Sequence, residues 1–134
     1  MTKRRRTSRF PPISDYALIS DCHSLALIAS DGSIEWAVFH RFDGRPPFAR
    51  ILDRECGGHF RIGATDPDAI RTRRYVPHTN VLETTFTTSM GQMTLTDLMP
   101  LEAGQADPGD ARRPGSRHSL IRVLRIVRGE VEVL

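Results

Sequence analysis

An Asp-Gly pair at positions 31 and 32 stands between two short apolar runs in the stretch SLALIASDGSIEWAVF, residues 24–39. Asp-Gly supplies the positive φ angles of a type I′ turn, the tightest link between antiparallel strands, so this segment predicts a β-hairpin. In its second strand Ile34, Trp36 and Val38 point one way and Glu35, Ala37 and Phe39 the other. Trp36 is therefore expected to face the core.

The rest of the chain repeats the pattern. Residues 80–98, NVLETTFTTSMGQMTLTDL, alternate Val81, Glu83 and Thr85 against Leu82, Thr84 and Phe86, with Met90-Gly91 at the turn. Their threonines favour a pleated strand over a helix, because β-branched side chains lose rotamer freedom in a helix. A third hairpin is expected from His118 through LIRVLRIV, turning at Arg128-Gly129 and returning as EVEVL. The segment ALIS, 17–20, and GGHFRIG, 57–63, read as short strands, and FARILD, 48–53, as one helical turn after Pro46-Pro47. Residues 101–116, rich in Gly, Pro and Asp, read as a long flexible loop. Short strands at close spacing with no sustained 3.6-residue rhythm predict an all-β, antiparallel sandwich. Because the sequence stops at Leu134 inside an alternating run, the sandwich is expected to be incomplete.

Charge divides the 134 residues unevenly. Lys3, Arg4, Arg5, Arg6 and Arg9 fall in the first nine residues, which hold no acid; the remaining 14 basic residues face 16 acidic ones. A net charge of +3 thus belongs to an arm, residues 1–12, closed by Pro11-Pro12 and expected to be disordered. Residues 13–134 form the folded domain. Nucleic-acid binding by the body is not expected, since its basic groups should then line one face. Arginines 71, 73, 74, 112, 113, 117, 122, 125 and 128 are read as surface-solvated, with no exposed aromatic row beside them. The longest apolar run, Leu25 to Ala29, is five residues, far below the ~20 of a membrane span. The residues after the Arg pairs lack the apolar stretch of an export signal, so a cytoplasmic protein is expected.

Catalytic signatures are missing. Gly57-Gly58 lacks the Lys-Ser/Thr of a phosphate loop, and there is no Gly-x-Ser-x-Gly elbow. Cys22 and Cys56 are 34 positions apart without Cys-x-x-Cys spacing and read as free thiols. His23, His40, His59, His78 and His118 are scattered singly, which favours structural histidines over metal ligands. No cofactor is implied. Two places stand out as sites. His40-Arg41-Phe42-Asp43-Gly44-Arg45-Pro46-Pro47 packs charge, an aromatic and prolines into the loop leaving the Trp36 strand: Arg41 and Asp43 could grip sugar hydroxyls or a neighbouring domain with Phe42 stacking, or brace the loop as an ion pair. Asp21 and His23, two apart after ALIS, could form an acid–base pair, although without a nucleophile a structural role is favoured. Asp97, before Met99-Pro100, reads as a strand-ending turn former.

Taken in order, Ile13-Ser14-Asp15-Tyr16-Ala17-Leu18-Ile19, Asp21-Cys22, SDGSIEW (30–36), Arg41-Phe42-Asp43, FARILD (48–53), GGHFRI (57–62), RRYVPHTNVLETTF (73–86), LTDLMP (95–100) and LIRVLRIVRGEVEV (120–133) resemble the trehalase-like N-terminal domain of bacterial glycoside hydrolase family 15 proteins. That resemblance implies a supersandwich-like antiparallel β domain and a partner, a helical (α/α)6 barrel, that carries the chemistry. Two barrel glutamates, roughly 6.5–9.5 Å apart, would act as general acid and base in inverting hydrolysis of α-glucosides such as trehalose and malto-oligosaccharides. None of Glu35, Glu55, Glu83, Glu102, Glu130 or Glu132 occupies such a motif, so this chain is expected to be non-catalytic and to shape the rim of the barrel's active site. Arg41, Phe42 and Asp43 are the expected contact, with Trp36 as buried anchor and Asp21 and His23 as further candidates. Two departures stand out: His23 and His40 occupy positions where the family pattern has arginine and proline. A half-finished sheet edge predicts self-association. The alternatives are a free-standing carbohydrate-binding or protein-interaction module and, for the Arg arm, a nucleic-acid contact.

Overall fold

The computed structural model describes residues 10–102 and 115–134. After a 3-10 turn at Ile13–Asp15, one antiparallel sheet takes β1 (Tyr16–Ser20), β2 (Leu25–Ala29) and β3 (Ser33–Val38) in order. Two short strands, β4 (Phe48–Ala49) and β5 (Phe60–Arg61), share the far edge of β3. The second sheet is built from β6 (Ile70–Tyr75), β7 (Leu82–Thr87), β8 (Gly91–Leu98) and β11 (Ile121–Gly129), in the spatial order β11-β8-β7-β6. Between them in sequence, β9 (Leu101–Glu102) pairs with β10 (Gly115–Ser116). The sequence-predicted flexible loop over 101–116 is therefore tied at both ends; residues 103–114, like 1–9 of the basic arm, lie outside the described residues. Among the described residues the fold is all-β and sandwich-like, as expected, and no helix is long and apolar enough to cross a membrane.

Alternation puts the core where the sequence predicts it in the second sheet. Leu82, Thr84 and Phe86 of β7 and Met93, Leu95 and Asp97 of β8 are fully buried. Leu82 meets Ile19, Ala26, Ile28, Ile34 and Ala37 of the first sheet, and this cluster joins the two layers. Phe86, Met93 and Leu95 form a second cluster with Ala64 and Ala69, roofed by Val131 and Val133. Burial of a side chain such as Phe86 contributes about 1.5–3 kcal/mol.

The first two of the three predicted hairpins are present, with one change of turn. The Gly32 N–H donates to the Ala29 carbonyl at 3.0 Å, so Ser30 and Asp31 form the turn's centre, and only Gly32 (φ +81°) takes the left-handed region. A type I′ turn needs two such residues. Gly32 is required twice over, because a Cβ there would lie 1.9 Å from the Ile62 carbonyl oxygen.

Five expectations are corrected. Trp36 does not enter the core: β2 pairs Leu27 with Trp36 but Ile28 with Ile34, so Glu35 is the extra residue of a bulge. Ile34 and Ala37 thereby share the inner face, while Trp36 lies half-buried opposite Leu27 on the outer one. FARILD is split, since Phe48 and Ala49 pair with β3 before a single turn closes on the Ala49 carbonyl. The third hairpin does not form: after Gly129 (φ +62°) the chain leaves β11, and Val133 bridges Ala64 instead. The strand does end beside Asp97, at Leu98, but Asp97 forms no turn there: it is the penultimate residue of β8 and its carboxylate is fully buried against Arg122. Arg122 is no surface residue; its side chain is 3% exposed and grips Asp97.

That last pair fastens β11 to the molecule. Arg122 Nε donates to Asp97 Oδ1 at 2.7 Å and Nη2 to Oδ2 at 3.3 Å. The same guanidinium donates to the Gly32 carbonyl at 2.6 Å and the Phe60 carbonyl at 3.0 Å, so one side chain links β8, β11, the first hairpin and β5. Burial pushes the Asp97 carboxyl up, against the pull of Arg122.

Candidate functional site

Three chain segments converge at one end of the sandwich: the β1–β2 turn, the exit from β3 and the approach to β11. The β1–β2 turn is built by Asp21, whose fully buried carboxylate accepts the backbone N–H groups of His23 at 2.9 Å and Ser24 at 2.5 Å. Asp21 is thus a turn-bracing acid. It holds Cys22 at φ +73° and sets Ser24 beneath two histidines. The Ser24 hydroxyl accepts the His40 amide at 3.2 Å and lies 3.2 Å from His118 Nδ1, to which its own proton can be given.

Around that serine the imidazoles meet. The His118 ring lies 4.2 Å from His40 and 5.7 Å, edge-on, from His23, centroid to centroid. His40 (φ +67°) and His118 (φ +51°) join Cys22 in the left-handed region, so three of the chain's four described non-glycine residues there border this one site. Such backbone costs about 1–3 kcal/mol per residue and persists where surrounding structure imposes it. Among the described residues no group of three or more His, Cys, Asp and Glu can hold a metal. The His40 and His118 rings, but not His23, form one wall of an open cavity of about 560 Å³, completed by Phe39, Phe48, Phe60 and Leu120. Imidazole nitrogens beside aromatic faces make a surface that can hydrogen-bond and stack at once.

The loop from Arg41 begins one residue beyond His40. Arg41 Nε and Nη2 donate to Asp43 Oδ1 and Oδ2, both at 2.8 Å, and this fork keeps the Asp43 carboxyl below its usual range. The pair lies at the surface, with side chains 76% and 71% exposed, and Phe42, between them in sequence, is exposed as well. Arg41, Phe42 and Asp43 therefore form a charged-aromatic ridge beside the cavity. Trp36 does not line it, although its β4 partner Ala49 adjoins Phe48, which does.

On the outer face of the first sheet a second polar cluster pins the segment after β4. The buried Glu35 carboxylate accepts the Tyr16 hydroxyl at 2.6 Å and an Arg54 guanidinium hydrogen bond, with Arg50 at 3.6 Å. Burial and Glu35 push the Tyr16 phenol far up. Phe10 stacks under Arg54, 6.0 Å from ring centroid to guanidinium carbon. Cys22 and Cys56 are free and exposed.

Sequence reasoning missed the convergence of His23, His40 and His118, which no spacing announces. One signal did mark it. The two departures from the family pattern, His23 and His40, were separate positions in the sequence and prove to touch the same third histidine.

The chain matches a family model described as "Trehalase-like, N-terminal" over residues 4–125. It is 37% identical over 132 residues to a trehalase of Mycolicibacterium smegmatis and 36% identical over 132 residues to a trehalase of Mycobacterium tuberculosis, covering 93% of this chain in each case. A third relative, Trehalase 2 of Sulfolobus acidocaldarius, is 36% identical over 87 residues, 65% of this chain and 14% of its own length. No solved structure matches the chain. The chain spans about a fifth of the length of the two mycobacterial relatives, 20% and 19%. With its antiparallel sandwich and the match across nearly all of its length, the chain belongs to the trehalase-like N-terminal domain family.

Proposed function

We infer that this chain is the non-catalytic accessory domain of a trehalase-type, family 15-like glycoside hydrolase acting on α-glucosides, and that it works in the cytoplasm. Residues 13–134 are the docking body and 1–12 an arm. The partner is an (α/α)6 barrel carrying the two catalytic glutamates, joined in cis in longer relatives or supplied in trans. The observation that carries this reading is the site at one end of the sandwich: an aromatic and imidazole cavity of about 560 Å³ flanked by the exposed Arg41-Phe42-Asp43 ridge. Strained backbone at Cys22, His40 and His118 supports it, because such conformations concentrate where a surface has a task. Docking there would shape one rim of the barrel's substrate cleft.

The test is to supply the chain to a trehalase-type barrel by co-expression and measure glucose release from trehalose and from malto-oligosaccharides. Activity that needs both pieces and falls at least tenfold with Phe42→Ala or Arg41→Glu is the expected result. Full barrel activity without the chain overturns the reading.

The aromatic cavity favours one other use, a free-standing carbohydrate-binding module. Trp36, the single tryptophan, reports on it through β4. A saturable change of its fluorescence with trehalose or maltotriose, lost in Phe48→Ala, would promote that reading over docking.

A further inference from the structure

All four of the described non-glycine residues with positive φ lie on segments hydrogen-bonded to one turn, residues 20–24. Cys22 (φ +73°) is part of it, and His40 (φ +67°) and His118 (φ +51°) meet on Ser24. The fourth, His78 (φ +60°), belongs to the β6–β7 turn, which Asn80 ties to the Ser20 carbonyl at 2.9 Å. Histidine accepts this region better than most residues, but glycine occupies it without strain. The fold does use glycine where β2 turns into β3 and where β11 ends, at Gly32 and Gly129. Imidazoles at three such positions around one turn mark a surface with a task.

The charges of that surface are one-sided. Its segments, 20–24, 39–47, 76–81 and 117–120, hold two acids, Asp21 and Asp43. Asp21 is fully buried and accepts the His23 and Ser24 amides, and Asp43 is held by both arms of the Arg41 fork. Neither carboxylate is presented to a visiting group. What the surface presents is donor or cation: the His40 and His118 rings on the cavity wall, the exposed Arg45 and the exposed His78. Behind the two rings the cavity is apolar, walled by Phe39, Phe48, Phe60 and Leu120. A group that fits both parts carries a negative charge on an apolar body.

We propose that this surface takes an acidic segment of a protein partner, which seats a large apolar side chain in the cavity and sets a carboxylate beside it against His40 and His118. The inference rests on the docking reading and adds two things to it: the chemistry that the barrel contributes, and a second contact at His78 on the β6–β7 turn. Imidazole N–H groups and Arg45 hold the carboxylate, and the phenyl faces cover the apolar group. Attraction of this kind steers the encounter and is screened by salt.

Two experiments test it, with circular dichroism to confirm that each variant folds. In the first, the full chain is titrated with 3-phenylpropionate and with the neutral 3-phenylpropanamide while the NMR signals of His40, His118 and Phe48 are followed. Saturable shifts at all three residues are expected, with the carboxylate bound at least fivefold more tightly; no shift, or equal affinity for both probes, overturns the proposal. In the second, calorimetry measures binding of the full chain to a trehalase-type barrel. Affinity should fall at least tenfold in high salt or with Arg45→Glu, and severalfold with His78→Asp, which the same backbone tolerates. Arg71→Glu, exposed on β6, should change nothing. A complex equally tight in high salt and with Arg45→Glu overturns the acidic partner while the docking reading stands. A chain that prefers 3-phenylpropionate as expected but binds no barrel supports the acidic-ligand surface and overturns the docking reading alone.

Discussion

The outer edges of β1 and β11 show two solutions to the same problem. Among the described residues each is a strand with a partner on one side only, and each would present unpaired N–H and C=O groups along the other. At β1 the fold spends a tyrosine and an asparagine on closure: Tyr75 satisfies both backbone groups of Leu18, and Asn80 takes the Ser20 carbonyl. At β11 comparable care goes into anchoring the strand through Arg122, Asp97 and two carbonyls, while among the described residues nothing bonds its far edge. The difference teaches that a strand can be fixed through one buried ion pair without its outer edge being closed, whereas β1 is closed by side chains from the second sheet.

Breaking the anchor should have the largest effect. Arg122→Met or Asp97→Leu alone leaves a buried charge without its partner and should cost about 3–5 kcal/mol, measured by urea unfolding; for a domain of marginal stability that is close to loss of folding. Joining the two substitutions removes both charges and should recover most of the loss. If the double variant is as unstable as the sum of the singles, the pair is not the staple described.

Opening the closed edge is a smaller change. Tyr75→Phe removes both hydrogen bonds to Leu18 and should cost about 1 kcal/mol. Its sharper readout is amide exchange, since the Leu18 N–H loses its acceptor and should exchange freely. A Leu18 amide that stays protected would mean that β1 is closed by something other than Tyr75.

The smallest expected effect reaches the anchor from β5. Burial and Arg50 hold the His59 imidazole below its ordinary value of 6.5, so the fold favours the neutral ring. Stability from this group is whole above pH 6.5 and declines as pH falls through 6.5 toward the lower folded value. The melting temperature should drop slightly between pH 7 and pH 5, and His59→Gln should flatten part of that slope. Identical slopes in both proteins would remove His59 from the account.

Much of the fold was legible because alternation survives in single strands. Leu82, Thr84 and Phe86 read inward from sequence and are inward. What failed did so where a distant contact overrode the local pattern. The bulge at Glu35, which turns Trp36 out of the core, follows from a buried carboxylate held by Tyr16 and Arg54, none of it visible in the spacing of SIEW. EVEVL alternates well enough for a hairpin, but Gly129 turns it toward Ala64, where Val131 and Val133 cover Phe86 and Met93. β6 went unread as a strand because its arginines hide the apolar period of an edge. Of the site, Arg41 and Asp43 were legible as a local pair, and the structure closes that fork. The histidine cluster was not, since its members come from segments far apart in the chain and meet only through Ser24.

The central contrast is tested most directly by amide hydrogen exchange, residue by residue, at low and high protein concentration. Leu18 should be protected at both, through Tyr75. Amides of β11 that point away from β8 should exchange freely at both, while those that bond β8 are protected. Outward β11 amides protected as strongly as Leu18, or a Leu18 amide that exchanges freely, would contradict the account of one closed edge and one open edge.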